Sequence, residues 1–198
     1  MKAVIFDLGN VLVNYDGQAT FTAMSAVAGV SLENLFTHYQ TVERAFGTGQ
    51  LSGRGYYDLL DQAFGLAASY DRFAAVFCQY QERHEAALAF ARDLQARANV
   101  LVGIISNTNE VHASWLHANL PELSLFSSVI LSNEVGLLKP DPTIFELALN
   151  QLDVPPEQAL FVDDLAENVV GGTAVGLSGY AHKKWPLTRS FILNWLQH

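Results

Sequence analysis

Short, continuous runs of apolar residues constrain the fold of this chain more than any other feature. The runs are Ala3–Phe6, Val100–Ile105, Ser128–Leu131, Ala159–Val162 and, more weakly, Leu177–Ala181. Continuous rather than alternating apolarity is typical of strands that are buried on both faces, as in a parallel sheet. Helical periodicity separates the runs, for example at Val111–Asn119 and Pro142–Leu152. This alternation predicts an α/β fold with a Rossmann-like parallel sheet flanked by helices.

The segment from about Tyr15 to Arg92 follows a different pattern. It contains no convincing strand run, and helical patterns cover Phe21–Ala28, Leu32–Phe46, Gly55–Phe64 and Tyr70–Leu94. Ser31 and Ser52 stand where they can cap two of these helices. Connections between the strands of a sheet are usually far shorter than this segment. We therefore predict an inserted helical domain over residues 15–92 and an α/β core made of residues 1–14 and 93–198.

The composition limits the partners and the compartment. Half of the 198 residues are hydrophobic, which is enough for a substantial core, and the net charge of -9 disfavours nucleic acid and anionic lipid as partners. The single cysteine allows no internal disulfide bond, as is usual in a reducing cytoplasm. There is no signal-peptide pattern, and no apolar run reaches the ~18 residues of a membrane span. We expect a cytoplasmic monomer or homodimer that binds neither nucleic acid nor membranes.

Four polar segments follow predicted strands and carry the candidate chemistry. They are Phe6–Val11, Ile105–Asn109, Gly136–Pro142 and Phe161–Asn168. Ligands of an open α/β sheet bind outside the carboxyl ends of its strands, so these segments should meet in one crevice. A hydroxyl beside a free backbone N–H can hold a phosphate oxygen, and paired carboxylates need a cation or hydrogen bonds. Taken singly, each segment also has an ordinary explanation as a helix cap or a solvated loop.

Together and in this order, the four segments resemble the signature motifs of the haloacid dehalogenase superfamily, whose members are chiefly phosphatases. The resemblance extends over nearly the whole chain and includes a helical-bundle cap of the C1 type inserted after the first strand. The segments Asp7–Val11, Ser106–Asn109, Lys139-Pro140 and Asp163–Asn168 are most similar to those of bacterial α-D-glucose-1-phosphate phosphatases and of the phosphatase domain of soluble epoxide hydrolases.

The resemblance implies a site for phosphoryl transfer. Asp7 is expected to attack phosphorus and to form an aspartyl-phosphate. Ser106 and the backbone N–H of Asn107 are expected to bind the transferring phosphoryl group, and Lys139 to neutralise its charge. These roles fit a reaction that depends mainly on positioning and charge neutralisation.

The resemblance also implies a Mg²⁺ site. Asp164 is expected to bind the ion directly and Asp163 either directly or through a water molecule. The carboxylate of Asp7 and the backbone carbonyl of Gly9 are the other expected ligands, and Mg²⁺ prefers such oxygen ligands. The implied activity is that of a phosphoric monoester hydrolase acting on a small phosphorylated metabolite, with a sugar phosphate as the expected substrate.

Gly9 departs from the common pattern of the superfamily. Most of its phosphatases have at this position a second aspartate, which protonates the leaving oxygen and then activates water. Loss of a general acid/base typically costs ~10²–10⁴-fold in rate. The chain is then either a phosphatase for better leaving groups, such as anomeric sugar phosphates, with Asp16 or a cap side chain supplying the proton, or a degenerate phosphate-binding or regulatory protein with little turnover. A metal-independent haloacid dehalogenase is a further alternative, against which the pair Asp163-Asp164 argues.

Several other residues receive structural assignments from the sequence. His112 is expected to be an ordinary helix residue, with a place at the border of the crevice as the alternative. Tyr15, Tyr56 and Tyr57 are expected to pack in the core or at the cap interface, with the lining of a sugar pocket as the alternative. The glycines between residues 47 and 53 are hypothesised to form a specificity loop that faces Asp7, because substrate choice in this superfamily generally comes from the cap.

Overall fold

A computed structural model of the chain describes all residues from 1 to 198. Its strands are β1 (Lys2–Phe6), β2 (Val13–Tyr15), β3 (Gln81–Arg83), β4 (Val100–Ser106), β5 (Ser128–Leu131), β6 (Ala159–Asp163) and β7 (Ser178–Ala181). Five of them form a parallel sheet in the order β5-β4-β1-β6-β7, while β2 and β3 form a separate antiparallel pair. The five apolar runs correspond to the five strands of the parallel sheet, so the α/β prediction is confirmed.

Ten α-helices surround these strands. They are α1 (Gly17–Ala28), α2 (Leu32–Gly47), α3 (Gly53–Phe64), α4 (Tyr70–Phe77), α5 (Glu85–Gln95), α6 (Glu110–Asn119), α7 (Ser132–Val135), α8 (Pro142–Leu152), α9 (Ala166–Ala174) and α10 (Trp185–Gln197). Short 3₁₀ turns cover Pro121–Leu125 and Pro156–Gln158. None of the helices combines the length and the apolarity that crossing a membrane requires.

The central strand β1 shows why its sequence is apolar without alternation. Val4 and Phe6 belong to a buried cluster that includes residues of α5, α6 and α10, whereas Ala3 and Ile5 belong to a cluster on the opposite face with residues of α8. Successive side chains of a strand point to opposite faces, so helices on both sides of the sheet require both sets to be apolar. The central position of β1 places the residue that follows it, Asp7, in the middle of the sheet edge.

The helices α1 to α4 share a buried cluster of their own. Its largest side chains are aromatic and include Phe46, Tyr56 and Phe77. The expected caps are present, because Ser31 Oγ accepts a hydrogen bond from the backbone N–H of Asn34 at 3.2 Å and Ser52 Oγ accepts one from that of Gly55 at 3.0 Å. The inserted segment therefore has a packed helical core distinct from the two clusters of the sheet.

Two expectations for the inserted segment are wrong. The single helix expected over Tyr70–Leu94 is divided into α4, the strand β3 and α5, and the segment does contain a strand. Gln81–Arg83 is too short and too polar to stand out as a strand in the sequence. Its partner is Val13–Tyr15, almost seventy residues earlier in the chain, and this long-range pairing supplies the backbone hydrogen bonds.

An ion pair anchors the antiparallel β2–β3 pair to the α/β core. The Arg83 guanidinium donates to the Glu122 carboxylate at 2.7 Å and 3.0 Å and to the backbone carbonyl of Asn119 at 2.7 Å. Glu122 is nearly fully buried, so its charge depends on this partner. The β2–β3 pair is thereby held against the connection between β4 and β5.

Gly49 allows the inserted helices to approach the core closely. Its φ of 71° lies in the left-handed region, and a Cβ atom at this position would overlap the backbone carbonyl oxygen of Asn133, which follows β5. Gly65 has a similar φ of 66° but has no atom within 4 Å of the position of a Cβ. The two glycines share their conformational demand and differ only in the contact.

We predict that Gly49→Ala destabilises the protein more than Gly65→Ala. The left-handed conformation costs about 1–2 kcal/mol for either alanine. The collision with Asn133 should add about 2 kcal/mol or more at position 49, within the range of overpacked sites. Urea unfolding of both variants measures the difference, and equal losses would contradict the close approach described here.

Candidate active site

A cavity of about 260 Å³ lies at the carboxyl ends of the central strands. Six of the seven residues predicted from the sequence line it: Asp7, Gly9, Ser106, Asn107, Lys139 and Asp164. The seventh, Asp163, is fully buried and offers a carboxylate oxygen within 4.8 Å of those of Asp7 and Asp164. The four sequence segments thus meet at one place; three directly follow strands, whereas Gly136–Pro142 follows the short helix α7 and not a strand as expected.

The Lys139 ammonium group is the centre of this arrangement. It donates hydrogen bonds to Asp7 Oδ1 at 2.8 Å, to Asp163 Oδ2 at 2.7 Å and to the backbone carbonyl of Ile105 at 2.8 Å. The side chain is only 1% exposed, and all three of its donors are used. One ammonium group faces the three carboxylates of the cluster, so the site retains an excess of negative charge.

Asp7 is held directly after the central strand. Its backbone N–H donates to the carbonyl of Val162 at 2.8 Å, which extends the pairing of β1 with β6 by one residue. Burial raises the pKa of Asp7 to about 6; the Lys139 ammonium opposes this shift and the Asp163 carboxylate adds to it. A divalent cation beside Asp7 would favour its charged form and lower this pKa.

The two adjacent aspartates have different surroundings. Asp163 Oδ1 accepts hydrogen bonds from the backbone N–H of Leu165 at 2.8 Å and from Asn168 Nδ2 at 3.1 Å, and Oδ2 accepts from Asn168 and Lys139. Asp164 is half-buried, and its one protein hydrogen bond comes from Asn10 Nδ2 at 3.1 Å to Oδ2. Asp164 therefore keeps oxygen lone pairs free toward the cavity, whereas protein donors occupy both oxygens of Asp163.

Ser106 and Asn107 present different groups to the cavity. The hydroxyl of Ser106 has no hydrogen-bond partner in the protein, although the residue is only 4% exposed. The carboxamide of Asn107 is occupied, since Nδ2 donates to the Lys139 carbonyl at 2.9 Å and Oδ1 accepts from the Lys139 N–H at 2.8 Å. The hydroxyl of Ser106 and the backbone N–H of Asn107 are left to bind a ligand, and the side chain of Asn107 positions the lysine.

The position of Gly9 has room for a side chain. A Cβ atom there would contact only Asp7 Oδ2, at 3.8 Å, and the residue does not have a left-handed backbone conformation. Gly9 lies in the sharp turn between β1 and β2 and forms a bridge with Val13. The position lacks the carboxylate common in the superfamily, and no side chain crowds the place of its Cβ atom.

Asn10 is a site residue to which sequence reasoning assigned no role. Its φ of 55° is a left-handed conformation, which Asn tolerates better than most residues. Its amide donates to Asp164, and its Oδ1 accepts from the backbone N–H of Tyr15 at 3.1 Å. Asn10 therefore links Asp164, a candidate metal ligand, to the strand β2. An Asn directly after the Asp-Leu-Gly turn was the one signal in the sequence.

The structure decides between the alternatives for the histidine and the tyrosines. His112 is a residue of α6 that borders the cavity, and Tyr15 lines the cavity with its ring centroid 5.3 Å from that of His112. Burial lowers the pKa of His112 to about 4, and its Nε2 lies 3.0 Å from the carbonyl of Phe77. Tyr56 and Tyr57 belong to the helical cluster, as expected. Asp16 caps α1 and does not line the cavity.

Two further cavities continue from the first toward the inserted helices. A cavity of about 450 Å³ shares Lys139, His112 and Tyr15 with the first one and reaches Tyr39 and Glu43 of α2. A groove of about 840 Å³ then begins at the same two α2 residues, and its apolar lining consists of Phe21, Leu32 and Phe36 with the tyrosines Tyr15 and Tyr39. A path with an apolar far end therefore leads away from Asp7. The glycines near residue 50 contribute only Gly47 to it.

We predict that Asp163→Asn destabilises the protein by about 3 kcal/mol or more, because it removes a buried charge partner of Lys139 and turns one acceptor into a donor. Asp164→Asn should stay within about 1 kcal/mol of the wild type, since that carboxylate is half exposed and makes one hydrogen bond. Urea unfolding in the presence of a chelator measures both changes. Similar losses for the two variants would contradict the different roles assigned to the two carboxylates.

A family model of haloacid dehalogenase-like hydrolases matches residues 1–176 of the chain. Among curated proteins, a sesquiterpene phosphatase of Aspergillus oryzae is 31% identical over 183 residues, which cover 90% of this chain and 88% of that protein. A D-ribitol-5-phosphate phosphatase of Bacteroides thetaiotaomicron is 26% identical over 216 residues and is matched over 99% of its length. A drimenol cyclase of Aspergillus calidoustus is 26% identical, and the chain spans only 34% of that longer protein.

The fold has close counterparts among solved structures. A HAD family enzyme from Bacteroides thetaiotaomicron, crystallised with magnesium and inorganic phosphate, superposes with a TM-score of 0.83. The two sequences are 23% identical, and the alignment covers 95% of this chain and 98% of the other. This similarity extends over both the parallel sheet and the inserted helices, so it shows that the two parts occur together in a known fold.

Proposed function

The chain belongs to the haloacid dehalogenase-like hydrolases, and we propose that it is a Mg²⁺-dependent phosphatase that hydrolyses a small sugar phosphate through an aspartyl-phosphate. The observation that carries the proposal is the hydrogen bonding of one buried ammonium group, Lys139, to both Asp7 and Asp163 beside an open cavity. An anionic nucleophile can approach an anionic phosphate only where such positive charge is fixed in place.

Asp7 is the proposed nucleophile. Its Oδ1 is held by Lys139, so Oδ2 is the oxygen free to attack phosphorus, and the phosphorus–oxygen bond to the leaving alcohol breaks as the new bond forms. The Ser106 hydroxyl and the Asn107 N–H would hold the oxygens of the phosphoryl group. Burial in the cavity strengthens each of these interactions by excluding water.

The acidic cluster fits a Mg²⁺ ion. Asp7, Asp163 and Asp164 offer oxygens within 4.8 Å of one another, and one ammonium group does not neutralise them. Asp164 and the Gly9 carbonyl are the proposed direct ligands together with Asp7, and the hydrogen-bonded Asp163 would act through its neighbours or a water molecule. When bound, the ion supplies neutralisation of phosphoryl charge.

The absence of a carboxylate at Gly9 favours substrates whose leaving oxygen needs little protonation. The anomeric oxygen of a sugar 1-phosphate leaves as a hemiacetal oxygen, which is a better leaving group than a simple alkoxide. The relative of Bacteroides thetaiotaomicron named for ribitol 5-phosphate supports a small polyhydroxylated substrate, although its primary alkoxide is a poorer leaving group. Sugar phosphates are therefore the first class to test, and sugar 1-phosphates are expected to react faster than 5-phosphates.

A phosphate ester of an apolar alcohol is the second candidate substrate. The groove beyond Tyr15 and Tyr39 is lined by Phe21 and Phe36, and the latter is 49% exposed although it is aromatic. The most similar full-length relative described above is named for a sesquiterpene substrate. An apolar chain bound in this groove would extend from the same phosphate site, so the chemistry at Asp7 would be unchanged.

We predict Mg²⁺-dependent release of inorganic phosphate that Asp7→Asn lowers by about 10⁴-fold or more, because that change removes the nucleophile. The measurement is a panel of sugar phosphates and isoprenoid phosphates, each with and without Mg²⁺. Asp93→Asn is the matched control, since Asp93 is exposed on α5, away from the site. Release from neither class, with Mg²⁺ still raising the melting temperature, would instead support a phosphate-binding protein with little turnover. A halogenated carboxylic acid is tested in parallel, and metal-independent halide release from it would indicate a dehalogenase.

We further predict that Gly9→Asp increases turnover of esters with poor leaving groups, such as alkyl phosphates, by about 10-fold or more. The added carboxyl group has room and would serve as the general acid that such leaving groups require. Aryl phosphates, whose leaving groups need no proton, should gain little. The ratio of kcat values for the two ester types measures the effect, and an equal change for both would contradict it.

A further inference from the structure

One buried amide at the cavity lacks a partner. Gln81 is 8% exposed, its Nε2 is buried without a hydrogen bond, and the residue lines the same cavity as Asp7 and Gly9. The other buried polar atoms without partners, which belong to His38, Tyr56 and Asn133, do not line it. An unsatisfied buried amide costs ~1–3 kcal/mol, so it requires a reason such as a catalytic role or a bound water molecule.

The register of the β2–β3 pair places Gln81 on the same face as other residues that line the cavity. Gln81 of β3 pairs with Tyr15 of β2, and residues directly opposite each other on antiparallel strands share one face of the sheet. Val13 lies two residues before Tyr15 and therefore on the same face. All three residues line the cavity, so this face of the β2–β3 pair forms part of its wall.

The other nitrogen-bearing side chains of the cavity are already engaged. Asn10 is bonded to Asp164 and to the Tyr15 backbone, and Asn107 to the Lys139 backbone. Lys139 uses all three donors, and Asn168 donates to Asp163. His112 faces the Phe77 carbonyl through Nε2 and Asn109 through Nδ1. The Gln81 carboxamide makes no hydrogen bond within the protein; its Nε2 is closed off from solvent, so Oε1 is the atom that remains available to a molecule inside the cavity.

We propose that the carboxamide of Gln81 orients the water molecule that hydrolyses the aspartyl-phosphate, a task for which Gly9 has no side chain. This inference rests on the proposed phosphatase activity. The water oxygen forms a bond to phosphorus, the bond from phosphorus to the Asp7 carboxylate breaks, and its electron pair returns to Asp7. The proton released by the water goes to a phosphate oxygen, because an amide can orient water but cannot accept its proton. An amide has such a water-orienting role in some GTPases.

The test separates formation of the aspartyl-phosphate from its hydrolysis. Wild type, Gln81→Leu and Gln81→Met are mixed with p-nitrophenyl phosphate and Mg²⁺, and p-nitrophenol release is followed from the first turnover. The fraction of phosphorylated chain in acid-quenched samples is measured by intact-protein mass spectrometry. Both variants should keep a rapid burst of about one p-nitrophenol per site and accumulate the phosphorylated chain. Their steady-state rate should fall about 10- to 100-fold, as for one or two hydrogen bonds lost in the transition state.

Gln79→Leu is the matched control, because it makes the same change at an exposed position two residues away and should behave like the wild type. Gln81→Glu supplies a carboxylate that can accept the proton, so its steady-state rate should rise with pH through the titration of that group. A steady-state rate of Gln81→Met within twofold of wild type, or equal losses of burst and steady state in both variants, would overturn the proposal. Absence of any Asp7-dependent turnover by the wild type would overturn the proposed function and, with it, the role of Gln81.

Discussion

The Lys139 ammonium group is the interaction on which the arrangement of the site depends. It joins Asp7, 132 residues earlier in the chain, to Asp163, 24 residues later, and to the carbonyl at the end of β4. Without it two buried carboxylates would face each other unpaired, at a cost of several kcal/mol. The same charge that stabilises the cluster is the one a phosphate ester requires, so structural and chemical demands coincide on one side chain.

The parallel sheet makes this convergence possible. Strands β1, β4 and β6 are neighbours, and their carboxyl ends bring residues from distant parts of the sequence to one edge. The β2–β3 pair contributes Val13, Tyr15 and Gln81 to the cavity wall and is held by Arg83 on Glu122 and by Asn10 on the Tyr15 backbone. Under the proposed function, the core would supply charge and the nucleophile, and the β2–β3 pair would face the leaving group or the water molecule.

Gly9 and the β2–β3 pair line the same cavity. The turn after Asp7 keeps its backbone geometry without a second carboxylate, and the space beside Asp7 stays open. The side chain that we propose to take over part of the missing carboxylate's task is the buried amide of Gln81, which belongs to a different element, β3. An amide can orient water but cannot act as a general acid or base near neutral pH, which fits the proposed preference for leaving groups that need little protonation.

The sequence by itself determined the five-stranded α/β core, because burial on both faces leaves a local record in every strand, as in Ala3–Phe6. It also identified six residues of the cavity, through four polar segments of which three directly follow strands. The tertiary structure alone decided the β2–β3 pairing, the commitment of both Asp163 oxygens to protein donors, and the contacts of Asn10 and Gln81. These features depend on partners that are far away in the chain. A short polar strand or a single amide has no local sequence pattern from which its distant partner could be predicted.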